Sequence, residues 1–207
     1  MALKATIFKA TLAVADVGRG YYGSHALTLA RHPSETDERM MARLLAFALH
    51  ADPSLAFGRG LSSDDEPAVA LTDATGAIDT WIDVGLPDER ALRRAAGRAR
   101  AVVVYAYGGR AADLWWARAG AALARLPRLT VRAIAPSSLA ALAALVERTM
   151  DVTCTIDDGH VFVSTPQATV AVELATLHAP GGAASRAKRP AFISAVAHAV
   201  PPPANIA

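Results

Sequence analysis

The feature that most restricts the fold is the apolar run Ala101–Tyr107, which ends in the glycine turn Gly108–Gly109. An extended segment with apolar side chains on both faces must be covered on both faces, as central and often parallel strands are. Helical patterns at 89–100 and 111–126 flank the run. The sequence therefore predicts a mixed α/β fold in which helices flank a mixed sheet.

Alternating patterns predict a β-hairpin near each end of the chain. Residues 2–15 and 21–31 flank the turn Asp16–Gly20, and Asp157–Gly159 joins two further β-patterned runs. An Asp-Gly pair between such runs is a strong hairpin signal. The other predicted elements are a helix capped by Ser34 or Thr36, a helix at 136–149, and strands near 55–61, 67–73, 78–85, 129–135 and 169–174.

Length and composition indicate one globular domain. The chain has 207 residues, of which 53% are hydrophobic, so it can enclose a substantial core. Glycine, proline and alanine dominate after His178, so we expect residues 1–178 to form one domain and residues 179–207 an unstructured tail. Neither a signal sequence nor a long uncharged apolar run is visible, which predicts a cytoplasmic protein without a membrane segment. The lone Cys154 excludes an internal disulfide and is expected to be buried.

Acidic residues flank a predicted hairpin. Asp64, Asp65 and Glu66 precede its first strand, and Asp83 lies near the end of its second. Because antiparallel strands place the start of one beside the end of the next, Asp65 or Glu66 could approach Asp83. Clustered carboxylate oxygens suit Mg²⁺ or Mn²⁺. The structural alternative is an acidic loop, with Asp83 capping the helix that follows.

The charge is strongly asymmetric along the chain. Residues 33–89 hold twelve acids and three arginines, a net charge of −9, whereas residues 90–132 hold ten arginines and one acid, a net charge of +9. Arg90, Arg94 and Arg98 recur every four residues and predict one stripe along a helix. This order indicates an acidic metal-binding site next to an arginine-rich phosphate-binding site. The alternative is that the two segments neutralise each other across the fold.

Several motifs together resemble one family, over about residues 1–178. They are Met1–Ala10, Thr28–Met41, Gly60–Pro67, Trp81–Glu89 and Tyr107–Arg110 followed by Trp115-Trp116. On these motifs the chain is similar to the YaeQ family, which has no firmly assigned biochemical function. Its members are regarded as compact variants of the PD-(D/E)XK nuclease-like fold. The resemblance therefore implies a restriction-endonuclease-like α-β-β-β-α-β core.

In that superfamily, an acid on the first helix, one at a strand head and a D/E-x-K motif bind Mg²⁺ for phosphodiester hydrolysis. The resemblance implies catalytic roles for Glu38, Asp65, Glu66 and Asp83, the last three as ligands of Mg²⁺ or Mn²⁺. Two features depart from the pattern: Gly85 replaces the lysine, and Pro67 follows the acids. The residues expected to bind phosphate are Arg90, Arg94, Arg98 and Arg110.

Three functions are open at this point. The first is a metal-dependent nuclease, although arginine is a poor proton acceptor and would not replace the lysine fully. The second is a non-catalytic module that binds nucleic acid through its arginines. The third is a protein-interaction factor without nucleic-acid contact. Trp115 and Trp116 are expected to pack in the core rather than to stack on bases, and the scattered histidines do not predict a zinc site.

Overall fold

A computed structural model describes residues 5–58 and 66–181. These residues form two mixed sheets and four helices. The strands are β1 Thr6–Asp16, β2 Tyr21–Arg31, β3 Leu55–Phe57, β4 Val69–Thr72, β5 Ile78–Val84, β6 Ala99–Ala106, β7 Leu129–Ile134, β8 Thr149–Asp157, β9 His160–Ser164, β10 Thr169–Val172 and β11 Leu174–His178. The helices are α1 Asp37–Leu49, α2 Glu89–Arg98, α3 Arg110–Leu123 and α4 Pro136–Ala143.

The first sheet has the strand order β10-β9-β8-β1-β2. Both predicted hairpins are present in it, and the parallel pairing of β1 with β8 joins them into one sheet. The second sheet has the order β11-β7-β6-β5-β4-β3. In this sheet β6, the apolar run, lies between parallel neighbours on both sides, as predicted.

Helix α1 lies between the two sheets. All residues from Met40 to Ala48 are buried, in one core with Leu12 of the first sheet and Ile82 of the second. A helix that is covered all round is largely apolar, and the exception within this stretch is Arg43, whose guanidinium is paired with the Glu35 carboxylate. Helices α2 and α3 cover the other face of the second sheet, where Trp115 and Trp116 pack against the core as expected.

Local signals explain where the helices begin. Thr36 caps α1, because its hydroxyl accepts a hydrogen bond from the Arg39 amide at 3.1 Å. Asp88 caps α2 by accepting from the Ala91 amide at 2.6 Å, so the alternative that Asp83 caps this helix is wrong. None of the helices in the described ranges is long and apolar enough to cross a membrane.

The structure differs from the sequence prediction after residue 143. Helix α4 ends at Ala143 rather than near Thr149, because β8 begins earlier to pair with β1. The predicted edge strand is divided at Glu173: β10 pairs with β9 in the first sheet, and β11 pairs with β7 in the second. The predicted ligand Asp65 lies outside the described residues, as does most of the predicted tail, residues 182–207.

Candidate functional site

The β4–β5 hairpin positions Asp83 as the sequence predicts. Val69 pairs with Ile82, and the adjacent Ala68 amide donates a hydrogen bond to Asp83 Oδ1 at 3.3 Å. Glu66 comes only two residues before Ala68. The chain at Glu66 and the Asp83 carboxylate therefore lie at the same end of this hairpin.

The Asp83 carboxylate is held inside the fold. Trp81 Nε1 donates to Asp83 Oδ2 at 2.8 Å, so both carboxylate oxygens already accept a hydrogen bond. Burial raises the pKa of Asp83, and the hydrogen bonds from Trp81 and Ala68 and the charge of Arg39 oppose that rise. Asp83 shares a side of β5 with Trp81, which packs against α2.

Glu38 lies on α1 rather than on the β4–β5 hairpin. It is exposed on the first turn of α1, and its charge contributes instead to the raised pKa of Tyr107, which is due mainly to burial. Within residues 5–58 and 66–181, no group of three or more His, Cys, Asp or Glu side chains could hold a metal ion. The predicted Mg²⁺ or Mn²⁺ centre also includes Asp65, which lies outside the described residues, so this centre stays a prediction.

Gly85 takes the position of the expected lysine for a backbone reason. Its φ of +109° is a conformation that side chains rarely adopt. Its amide donates to the Tyr105 carbonyl at 3.0 Å, which fixes the chain after β5 against β6. The cation whose charge acts on Asp83 is Arg39 of α1, a residue that the sequence analysis did not select.

A buried ion network anchors the start of α1. Glu35 accepts from Arg43 Nε at 2.8 Å, from Arg43 Nη2 at 2.9 Å and from Arg39 Nη1 at 2.8 Å. Arg43 also donates to the Ala30 carbonyl at 3.2 Å and is 1% exposed. In the sequence, Glu35 carries no signal beyond that of an acid near a helix start. The available signal was Arg43 within the apolar stripe of α1, since a buried guanidinium requires a carboxylate partner.

Helices α2 and α3 pack against each other and present a group of arginines to solvent. We define the α2–α3 arginine surface by the exposed residues Arg90, Arg94, Arg98, Arg110, Arg118 and Arg125. The predicted stripe and Arg110 thus share one side of the second sheet.

The α2–α3 arginine surface lies on the same side of the sheet as Asp83. Arg98 Cζ lies 5.3 Å from the centroid of Trp81, and Trp81 donates to Asp83. Arg110 is the first residue of α3, whose N-cap Gly109 has a φ of 56° and provides no side-chain hydrogen bond. A helix start attracts anions, and Arg110 adds its charge there, while the Ala111 amide already donates to the Gly108 carbonyl at 3.2 Å.

Part of the charge asymmetry is neutralised within the fold. Arg93 pairs with Glu89 at 2.5 Å. Arg100 lies 3.3 Å from both Asp73 and Asp79. The acidic and basic segments therefore pair within α2 and near the starts of β5 and β6, as expected if the two segments neutralise each other. The arginines of the α2–α3 arginine surface are exposed to solvent.

Comparison with known proteins gives one consistent family. The family model described as YaeQ protein matches residues 1–174. The chain is 44% identical to "Uncharacterized protein YaeQ" of Salmonella typhi and to that of Escherichia coli K12, in each case over 180 residues, which are 87% of this chain and 99% of the relative.

Two crystal structures resemble the fold closely. The YaeQ protein from Xanthomonas axonopodis pv. citri is 47% identical with a TM-score of 0.82, covering 85% of this chain and 99% of that one. The YaeQ protein from Pseudomonas syringae is 36% identical with a TM-score of 0.81, covering 86% and 98%.

Proposed function

The chain belongs to the YaeQ family, and we propose that it binds the phosphodiester backbone of nucleic acid through the α2–α3 arginine surface. One observation carries the proposal: five exposed arginines lie on the adjacent helices α2 and α3, and the exposed Arg125 follows the end of α3. Arginine side chains bind phosphate through paired N–H donors and supply most of the affinity of sequence-independent nucleic-acid binding.

The side chains of the α2–α3 arginine surface favour contacts with the phosphate backbone over the recognition of bases. Guanidinium groups dominate it, and Arg110 adds the amides at the start of α3 to the donors available for phosphate. The indoles of Trp115 and Trp116 pack against the core, which leaves them unsuited to stacking on bases. We therefore expect binding with little sequence preference.

Phosphodiester hydrolysis with Mg²⁺ or Mn²⁺ ranks second. The element order α1-β3-β4-β5-α2-β6 supports a compact PD-(D/E)XK-like core, and the pairing that places the chain at Glu66 at the Asp83 end of the hairpin favours hydrolysis. Asp65, Glu66 and Asp83 would be the ligands. Because Gly85 replaces the lysine and arginine is a poor proton acceptor, binding without cleavage is the stronger proposal.

The binding test compares two double variants by fluorescence anisotropy with labelled DNA and RNA. Each phosphate contact contributes about −0.9 to the slope of log K against log salt on duplex DNA. Arg90→Gln/Arg110→Gln should therefore weaken binding and reduce the slope by up to about 1.8. Lys9→Gln/Arg148→Gln removes the same charge from exposed positions of the first sheet and its approach and should leave the slope unchanged.

The outcomes separate the three functions. Binding without salt dependence, or equal weakening by both double variants, would contradict the proposal and favour a protein-interaction role. A cleavage assay with Mg²⁺ and Mn²⁺ addresses hydrolysis, with Asp83→Ala as the control. Cleavage by the wild type but not by Asp83→Ala would place the nuclease first, whereas binding retained in Asp83→Ala without any cleavage supports the binding module.

A further inference from the structure

A second group of polar side chains lies between the two sheets, at the end of α1. His50 Nε2 lies 2.8 Å from the Tyr105 hydroxyl, and the two rings meet edge to face with centroids 5.8 Å apart. Tyr105 is 1% exposed and lies on the α1 side of β6. The pair is therefore on the opposite face of the second sheet from the α2–α3 arginine surface.

Arg132 lies beside this pair without a carboxylate partner. Tyr105 of β6 and Arg132 of β7 are direct register partners, so their side chains leave the sheet on the same face. The Nε atom of Arg132 is buried and has no hydrogen-bond acceptor within the described ranges. Arg31 also has a buried Nε without an acceptor, but its Nη1 pairs with the Asp37 carboxylate.

Arg19 approaches the pair from the turn between β1 and β2. Its Nη1 donates to the Ala51 carbonyl, next to His50, at 3.3 Å. Its Nε pairs with Asp16 Oδ2 at 2.6 Å. Arg19 therefore already binds the Asp16 carboxylate and the Ala51 carbonyl. Neither group serves as the hydrogen-bond acceptor of Arg132 Nε.

The charges of these groups do not cancel. Burial, Arg19 and Arg132 lower the pKa of His50 to about 4, so the imidazole is neutral at pH 7. Burial raises the pKa of Tyr105 to about 12, so its phenol keeps its proton. Two guanidinium groups then face one carboxylate, that of Asp16. Arg132 is partly buried with its Nε shielded from water, and Arg19 is exposed, so an anion from solution can reach these groups and would be stabilised by their charges.

We propose that Arg132, Arg19 and Tyr105 form a binding site for one phosphate group, either free or carried on a small molecule. The two guanidinium groups come from β7 and the β1–β2 turn, and the Tyr105 hydroxyl of β6 can donate to the anion when His50 Nε2–H donates to the phenol oxygen. Donors that converge from different directions are served better by the tetrahedral oxygens of phosphate than by a planar carboxylate. The site is independent of nucleic-acid binding by the α2–α3 arginine surface.

The primary test is thermal unfolding of the full chain in inorganic phosphate against chloride, at one pH and matched ionic strength. At about a hundredfold excess over the dissociation constant, we expect phosphate to raise the wild-type Tm by about 5–11 °C. Arg132→Met should lose this rise. Its Tm in chloride should equal or exceed that of the wild type, because an apolar chain replaces an unpaired charge. Lys9→Gln removes an exposed charge and should keep the full rise.

A calorimetric titration keeps the test decisive if Arg132→Met does not fold. The wild type should bind one inorganic phosphate, and Arg90→Gln/Arg110→Gln should bind it equally well. A parallel titration with phenyl phosphate shows whether the site also admits a phosphate group carried on a small molecule. An unchanged wild-type Tm in phosphate with no heat of binding would overturn the proposal, and so would loss of phosphate binding in Arg90→Gln/Arg110→Gln.

Discussion

Mild acid should destabilise this protein through His50. Its pKa is about 4 in the folded chain against 6.5 for an ordinary histidine, because burial and the charges of Arg19 and Arg132 disfavour the imidazolium ion. Between these two values the unfolded chain binds a proton that the folded chain does not. The free energy of unfolding is therefore highest above pH 6.5 and falls as the pH is lowered toward 4.

The size of the effect follows from the pKa difference. One pKa unit corresponds to about 1.4 kcal/mol, so a depression of about 2.5 units corresponds to about 3 kcal/mol. For a chain of 207 residues this loss lowers the Tm by about 6–12 °C. Other carboxylates titrate in the same range, so the contribution of His50 must be obtained as a difference between two proteins.

The assay is denaturant unfolding of the wild type and His50→Phe at several pH values. At pH 7 the variant should be less stable by about 1–3 kcal/mol, since the buried Tyr105 hydroxyl loses its partner. By pH 4 the wild type has lost the free energy of unfolding that comes from the depressed pKa of His50, whereas the variant has no histidine there to titrate. The free energies of unfolding of the two proteins should therefore converge or cross. His160→Gln, at an exposed position of β9, is the control and should keep the wild-type profile.

Parallel pH profiles for the wild type and His50→Phe would refute this reasoning. So would a His50 imidazole that titrates near 6.5 in the folded protein by NMR. Either result would mean that water reaches the ring between α1 and β6, contrary to the packing described above.

Two further substitutions test the interior. Glu35→Gln leaves the Arg43 guanidinium buried without a charged partner and should lower the free energy of unfolding by about 3–5 kcal/mol in denaturant unfolding. The control is Glu89→Gln, which removes an exposed ion pair with an arginine and should lower it by at most about 0.5 kcal/mol. Equal losses of stability in the two variants would contradict the buried network. Gly58→Ala should lower the free energy of unfolding by about 1–3 kcal/mol, because the new Cβ would overlap the Pro67 carbonyl oxygen; an unchanged midpoint would show that this approach is looser.

The sequence predicted those elements whose signals are local. Each of these signals lies within a few residues of the element that it defines. Examples are the apolar run of β6, the Asp-Gly turn before β9 and the N-cap residue Thr36 of α1. The pairing of β1 with β8 has no such signal, because its partners are separated by about 140 positions. The division at Glu173 depends on that same long-range arrangement, since β10 and β11 look alike as β-patterned segments.

The sequence likewise predicted only part of the polar sites described above. Antiparallel register predicted that Asp65 or Glu66 could approach Asp83. The Ala68 hydrogen bond brings the chain two residues after Glu66 to that carboxylate, and the approach of the acids themselves stays a prediction. The groups around His50 were not predicted, because Tyr105 lies 55 residues further along the chain. Spacing rules seek ligands on one element, whereas these groups come from α1, β6 and β7.

The pairing of β1 with β8 also has a consequence for synthesis on the ribosome. The β1–β2 hairpin is translated long before β8, so β1 has no second neighbour until residues 149–156 have been translated. Until then the inward side chains of this hairpin, such as Leu12 and Val14, lack their final cover. The nascent chain therefore exposes an unpaired, aggregation-prone strand edge until β8 has been translated. During this period a chaperone would have its greatest effect on the yield of folded protein.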